Sequence, residues 1–401
     1  MSGIYIHIPF CKQACFYCDF HFSTSLNKKE ELVSCLIKEL QIRKVELQNE
    51  MVETIYFGGG TPSLLSIDEL RLLIEEVYRS YQIIENPEIT LEANPDDLVS
   101  IQAESSTIFE EYRRIGINRL SIGVQSFFED DLKSMNRAHN ANEAKKCLSA
   151  AIGSFDNITI DLIYGIPNMT NERWRENLQI AFDFGINHIS SYALTVEEKT
   201  ELASFIKQGK YPDVEEKVAK EHFDILIEET NKQGFIQYEI SNFGKPAYFS
   251  KHNTSYWLGK KYIGIGPSAH SFSKTHRSWN ISNNTKYIKL LQENTLPNET
   301  EELSVNDRFN EYMMTGLRTV WGVSLTKVEK EFGLDFKNQL MKSADKFIKE
   351  GLLVIAREKK QSAAVEKITS SLSPRNDDVL KTTLKGKFLA DGIAAELFIM
   401  N

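Results

Sequence analysis

Short runs rich in β-branched and aromatic residues alternate with longer segments whose apolar side chains recur every three or four positions, up to about residue 195. The runs at 3–10, 54–57, 88–93, 119–124, 158–163 and 188–194 read as strands. Segments 28–47, 66–81, 105–115, 141–154 and 171–184 read as the helices between them, and Ser66 with Glu69 supplies a capping box for the second. Strand and helix taken in turn require parallel strands with right-handed crossovers, so the pattern predicts an open doubly wound sheet or a full or partial barrel. Periodicity does not choose between them. Both bind ligands beyond the carboxyl ends of the strands. Those ends read Phe10-Cys11, Gly58-Gly59-Gly60-Thr61-Pro62, Glu92-Ala93-Asn94-Pro95, Gln125-Ser126 and Gly165-Ile166-Pro167, which gathers polar and glycine residues on one predicted rim.

The pattern loosens afterwards. A helix is expected at 214–234, followed by a polar and aromatic stretch, 237–280, that contains His252-Asn253-Thr254-Ser255-Tyr256-Trp257. Residues 294–304 read as a linker. Helices at 307–319, 325–332 and 336–351, a strand at 352–356 and a final helix at 388–398 predict a winged-helix-like unit. Its hairpin connection, 357–380, is long, polar and serine-rich, and is expected to be a mobile insertion. The expected division is therefore a β/α domain at 1–200, an extension at 201–300 and a mostly helical C-terminal domain at 301–401.

Composition narrows the function classes. With 41% hydrophobic and 10% aromatic residues the 401-residue chain can bury a large core. No apolar run approaches the roughly 20 residues of a membrane span, and residues 1–10 lack the basic start and apolar stretch of a signal peptide. A cytoplasmic protein, not integral to a membrane, is expected. The net charge of −9 resolves into −12 before residue 305 and +3 after it. That weakly basic tail lacks the clustered cations that nucleic acid binding needs, so no nucleic acid partner is expected.

Cysteine carries the chemistry. An odd count of five, Cys11, Cys15, Cys18, Cys35 and Cys147, does not suit a disulfide framework in a long chain. Cys35 and Cys147 lie in helical patterns and read as buried thiols. The other three fall within eight residues, Cys11-Lys12-Gln13-Ala14-Cys15-Phe16-Tyr17-Cys18. Structural zinc needs a fourth ligand, and no second pair with matching spacing exists. Three thiolates on a [4Fe–4S] cluster leave one iron open for a small chelating molecule.

Cys-x3-Cys-x2-Cys after a first strand, Tyr17 before the third cysteine, and Gly58-Gly59-Gly60-Thr61-Pro62 after the second strand resemble the radical S-adenosylmethionine (SAM) superfamily. The resemblance implies a partial (β/α)6 barrel. It also implies that the methionine end of SAM chelates the open iron, which supplies the electron that cleaves the sulfonium to a deoxyadenosyl radical. Glycines would let backbone approach that end, Glu92 would accept from ribose hydroxyls, and Arg137 would pair with the SAM carboxylate.

A narrower resemblance covers almost the whole chain. Tyr5-Ile6-His7-Ile8-Pro9-Phe10-Cys11, Arg119-Leu120-Ser121-Ile122-Gly123-Val124-Gln125-Ser126, Asp161-Leu162-Ile163-Tyr164-Gly165-Ile166-Pro167 and Gly264-Ile265-Gly266-Pro267-Ser268-Ala269-His270 are similar to the oxygen-independent coproporphyrinogen III oxidase group. It implies metal ligation by Cys11, Cys15 and Cys18, and SAM contacts at Tyr5, Tyr17, Gly59, Gly60, Thr61, Pro62, Glu92, Gln125, Arg137 and Asp161.

Within that group the oxidase has a fourth cysteine where this chain has Phe20, and a longer segment before the cluster loop. The haem-chaperone branch carries His-Asn-x-x-Tyr-Trp. The resemblance to that branch implies a [4Fe–4S] cluster, SAM and haem, with haem delivered to haem-accepting apoproteins such as membrane-associated respiratory enzymes. His252, Asn253, Tyr256 and Trp257 are its candidate haem residues, with His270, His276 or a cysteine as other candidate axial ligands. The alternative is the anaerobic oxidase or another radical SAM enzyme, so enzymatic activity and catalytic residues stay open.

Overall fold

In the computed structural model, which describes residues 1–99, 106–357 and 377–400, the expected strands are β1 (Ser2–Ile8), β2 (Met51–Gly59), β3 (Gln82–Ala93), β4 (Arg119–Gln125), β5 (Ile158–Tyr164) and β6 (His188–Ala193). Each pairs in parallel with the next. Helices Lys29–Arg43, Ile67–Ser80, Ser106–Arg114, Ala141–Ala151 and Asn171–Asp183 make the crossovers. Period-two alternation explains the layering. Ile4, Ile6, Ile8, Ile55, Phe57, Leu91, Ile122 and Ile160 are fully buried in the main core. The residues between them, among them Tyr5, His7, Tyr56, Glu92, Ser121 and Asp161, share the inner face.

The arch stays open, and the chain after β6 extends it at both edges. β7 (Ile236–Gln237) and β8 (Asn242–Gly244) add antiparallel beside β6. β9 (Tyr262–Ile265) adds in parallel to β1, and β10 (His270–Phe272), β11 (His276–Asn280) and β12 (Asn298–Glu302) continue antiparallel. One twelve-stranded sheet results. Residues 294–304 are thus not a linker, because Asn298–Glu302 forms the edge strand. Its Asn-Glu-Thr-Glu-Glu sequence has no apolar face to reveal it, and charged side chains suit an edge that must not pair further.

Helices Val305–Leu317, Leu325–Phe332 and Leu334–Lys349 pack with a small sheet of order β13-β15-β14, namely β13 (Val323–Ser324), β14 (Leu353–Arg357) and β15 (Asp378–Thr382). Phe309, Met313, Leu340, Phe347 and Leu380 form its own core. The expected connection 357–380 begins with the last residue of β14 and ends in β15, and residues 358–376 lie outside the described residues. The expected final helix, 388–398, is Ala390–Glu396, preceded by a separate short helix Leu384–Lys387. Among the described residues no helix is long and apolar enough to cross a membrane.

Candidate active site at the barrel mouth

The cysteine loop leaves β1 and is clamped at its base, where Cys11 N–H donates to Ser23 O (3.1 Å) and Ser23 N–H to Pro9 O (2.9 Å). Its tip is tied to the segment after β4. Gln13 Nε2 donates to Asn136 O and Oδ1 (both 2.9 Å), Asn136 Nδ2 to Ala14 O (2.7 Å), and Phe16 N–H to Met135 O (3.2 Å). Lys12 pairs with Asp96 and Asp97 beyond β3. The three cysteines are thereby held half-buried above the arch, while Cys35 and Cys147 are buried in the core.

No three His, Cys, Asp or Glu side chains among the described residues converge on one point, as a single ion requires. Three cysteines on one loop are the donor set of a cubane cluster with one iron left open. Burial pushes the Cys11 thiol up and the Cys18 thiol to about 11. Only a bound cationic centre would hold them as thiolates at neutral pH.

Beside this loop β1 and β2 approach closely. A Cβ on Gly60 would lie 2.6 Å from Phe10 O and 2.9 Å from Ile8 O, and one on Gly59, whose φ is +107°, would strike the His7 ring. Only glycine fits there. Gly60 N–H donates to Ile8 O (2.9 Å) and Thr61 N–H to Phe10 O (2.6 Å), after which Pro62 opens a short helical turn, Pro62–Leu64. Asn94 Nδ2 donates to Thr61 Oγ1 (3.1 Å).

The remaining expected SAM residues point into the same mouth. Glu92 accepts from Tyr56 OH (2.7 Å) and Gly59 N–H (3.1 Å), yet burial, with Asp161 adding repulsion, lifts its carboxyl to about 7. Burial likewise lifts Asp161 to about 6, against the pull of Arg119 and Arg137. Arg137 spans the mouth: Nη1 reaches Cys15 Sγ (3.2 Å) and Tyr17 OH (3.5 Å), and Nη2 donates to Asn94 Oδ1 (2.7 Å) and Gly123 O (2.9 Å). Its Nε is buried without a partner. Gln125 is buried with φ +65°, a strained conformation at a register break between β4 and β5. Tyr5 OH bonds His7 Nδ1 (3.1 Å). An orphaned guanidinium N–H, two carboxyl groups and a glycine cradle beside three thiols fit a cluster-bound, zwitterionic nucleotide.

The His252 motif lies elsewhere. Helix Lys251–Trp257 docks at the opposite, amino-terminal end of the strands, its first N–H groups donating to Glu88 (both 3.1 Å). His252 is 1% exposed, and both ring nitrogens are engaged, Nδ1 with Thr54 Oγ1 and Nε2 with Tyr256 OH, each at 2.7 Å. Tyr56 stacks on the ring (4.9 Å), and burial lowers it to about 3. In this structure the ring is held on the floor of the arch, with both nitrogens bonded. Asn253 N–H caps on Ser250 Oγ (3.2 Å), Tyr256 packs on Tyr262 (4.4 Å), and Trp257 lies under the Arg318 guanidinium (5.1 Å).

Asn94, Asn136 and Gln13 were not legible as site residues. Asn94 follows Glu92 at a strand end, which was its one available signal. Arg119 was also missed. It is 1% exposed on the inner face, bonds Thr159 and draws Glu92 and Asp161 toward their charged forms, and its signal was a charge opening an apolar strand.

Residues 5–181 match the model of the radical SAM superfamily, and residues 303–359 that of the HemN C-terminal domain. The chain is 34% identical to the heme chaperone HemW of Bacillus subtilis (strain 168) over 338 residues, 83% of this chain and 87% of that one. It belongs to the HemW family. HemW of Escherichia coli (strain K12) is 37% identical over 67% of this chain and 69% of its own. The HemW fold has a solved counterpart in E. coli coproporphyrinogen III oxidase (HemN), a radical SAM enzyme, with TM-score 0.79, 19% identity, and coverage of 99% of this chain and 90% of that one. Radical SAM membership implies a [4Fe–4S] cluster and SAM.

Proposed function

We propose that this protein is a haem chaperone that carries a [4Fe–4S] cluster on Cys11, Cys15 and Cys18, binds SAM across the barrel mouth, and passes haem to haem-requiring apoproteins, including membrane-associated respiratory enzymes. The observation that carries the reading is one rim uniting the three-thiol loop, the glycine cradle and Arg137 in a chain of the HemW family. When bound, the cluster supplies a one-electron donor next to the SAM sulfonium. The chain's own residues do the rest. Arg137 takes the SAM carboxylate through its unpartnered Nε edge, Glu92 takes the ribose hydroxyls, and Asp161, Gln125, Tyr5 and Tyr17 shape the pocket around them, with Gly59, Gly60, Thr61 and Pro62 giving backbone access.

Phe20, 68% exposed beside the loop, gives the cluster no fourth thiolate and an apolar surface instead. The motif of His252, Asn253, Tyr256 and Trp257 supports the haem part of the reading. Haemin titration of anaerobically reconstituted protein is expected to shift the Soret band to a saturating endpoint, and no shift would overturn the reading.

The intact SAM-binding rim favours a second reading, radical chemistry on a porphyrinogen. Incubation of coproporphyrinogen III with SAM and a reductant separates the two: oxidised, decarboxylated product would establish the oxidase, and its absence with an intact cluster would exclude it.

A further inference from the structure

The cysteine loop is also gripped from a side that its own sequence does not announce. β1, which feeds the loop, and β6 stand at opposite ends of the run of six parallel strands, and among the described residues nothing pairs them. The chain leaving β6 is fastened at once, where Leu194 N–H donates to Tyr164 O of β5 (2.8 Å), and it then forms a short helix, Glu201–Lys207. That helix meets the loop leaving β1, so the two edges of the open arch touch above the mouth.

The contact centres on Phe16, between Cys15 and Cys18. Its N–H donates to Met135 O (3.2 Å) and its carbonyl accepts from Leu202 N–H (2.9 Å), so the segment after β4 and the helix after β6 take one backbone group each. The Phe16 ring meets Phe205 edge to face, with centroids 5.0 Å apart and planes at 86°. That is a favoured arrangement of two aromatic rings. Leu202 is 1% exposed in the main core, whereas Phe205 is half-buried, so the first anchors the helix and the second reaches the loop.

The helix is pinned at both ends. Thr200 Oγ1 accepts from Ala203 N–H (3.3 Å) and donates to Glu197 O (2.6 Å). Lys210 N–H (2.9 Å) and Tyr211 N–H (3.3 Å) close on Phe205 O, with Gly209 at φ +69° supplying the turn. Ile206, Tyr211 and Val214 pack on the main core. Seven residues would not keep a helix in water by themselves, so its order comes from these ties. The other ties of the loop lie elsewhere: Ser23 holds Cys11, Asn136 holds Gln13 and Ala14, and Arg137 reaches the Cys15 sulfur.

We propose, resting on the cluster reading above, that Phe205 and Leu202 are positioning residues for the [4Fe–4S] cluster, and that the helix Glu201–Lys207 is a strap that holds the Cys15-to-Cys18 turn in place through Phe16. A ligand loop that is already ordered loses less freedom when it binds, and the neighbours that fix its orientation govern how well the bound group is kept.

The test compares full-length wild type, Phe205→Ala, Phe205→Tyr and Ser204→Ala, the last at an exposed position of the same helix. Each is reconstituted anaerobically, and loss of the cluster absorbance to an excess of EDTA is timed. Phe205→Ala is expected to lose its cluster about three- to tenfold faster than wild type, the effect of one aromatic edge contact. In metal-free protein, iodoacetamide labelling followed residue by residue in a mass spectrometer should quicken at Cys15 and Cys18 by a similar factor, with the buried Cys35 and Cys147 unchanged. Phe205→Tyr, which keeps the ring, and Ser204→Ala should match wild type in both assays. Cluster loss at the wild-type rate in Phe205→Ala would overturn the strap. Equal acceleration of labelling at all five cysteines would overturn it too, by showing that Phe205 serves the fold as a whole. A wild type that takes up no iron would instead overturn the cluster reading on which it rests.

Discussion

The two ends of the parallel arch are built from the same strands but treat polar groups in opposite ways. On the floor, both ring nitrogens of His252 are bonded, to Thr54 and Tyr256, as are both of His188, to Thr159 and Tyr238, and Glu88 caps the motif helix. At the mouth the polar groups are left short: Arg137 Nε has no partner, Glu92 and Asp161 are buried against their charge, and Gln125 is held at φ +65°. Imidazoles satisfied by their neighbours hold the fold, whereas charged groups left short of partners suit a ligand. The difference teaches that the same strands can serve as a packed floor at one end and as a polar mouth at the other.

The comparison can be broken most severely at the cysteines. Replacing Cys11, Cys15 or Cys18 by Ala should abolish the brown chromophore of reconstituted protein, while Cys35→Ala and Cys147→Ala keep it, as absorbance and iron content will show. Equal loss in all five would dissolve the distinction between loop and core thiols.

Next in size is His252→Ala. It removes two buried hydrogen bonds, strands Thr54 and Tyr256, and opens a cavity, so urea unfolding should show a loss of about 3–5 kcal/mol. Cluster content at low temperature should be unchanged. A variant as stable as wild type would show that the floor is not structural.

Glu92 sharpens the other end. Its folded pKa is raised from about 4.5 to about 7, so the folded protein binds that proton more tightly than the unfolded chain. The carboxyl therefore costs stability progressively as pH rises from about 4.5 to 7, with the full cost present above 7. Glu92→Gln should be more stable than wild type by roughly 1–2 kcal/mol at pH 8 and little different at pH 5, while binding SAM more weakly. Destabilisation at pH 8 would mean that the mouth carboxylate holds the fold, as the floor groups do. The smallest effect is expected of Lys12→Ala. Its ion pairs with Asp96 and Asp97 are partly exposed, so its loss should change stability by no more than about 1 kcal/mol.

The parts of this picture that were legible in sequence follow from local constraint. The cysteine loop shows because ligation fixes spacing, and the parallel strands show because the apolar period changes between strand and helix. Strand β12 was hidden because an all-polar edge strand has no alternation to detect. The placement of His252 was hidden for a different reason. Which end of the strands a helix docks against is decided by contacts such as Thr54 to His252, 198 residues apart, which no local pattern encodes.

The division between mouth and floor is tested most directly by electron paramagnetic resonance of the reduced cluster with and without SAM, in wild type and in His252→Gln. The expected result is a SAM-dependent change of the cluster signal in both proteins, because the ligand and the open iron meet at the mouth. No change in wild type, or a change that His252→Gln alone abolishes, would contradict it.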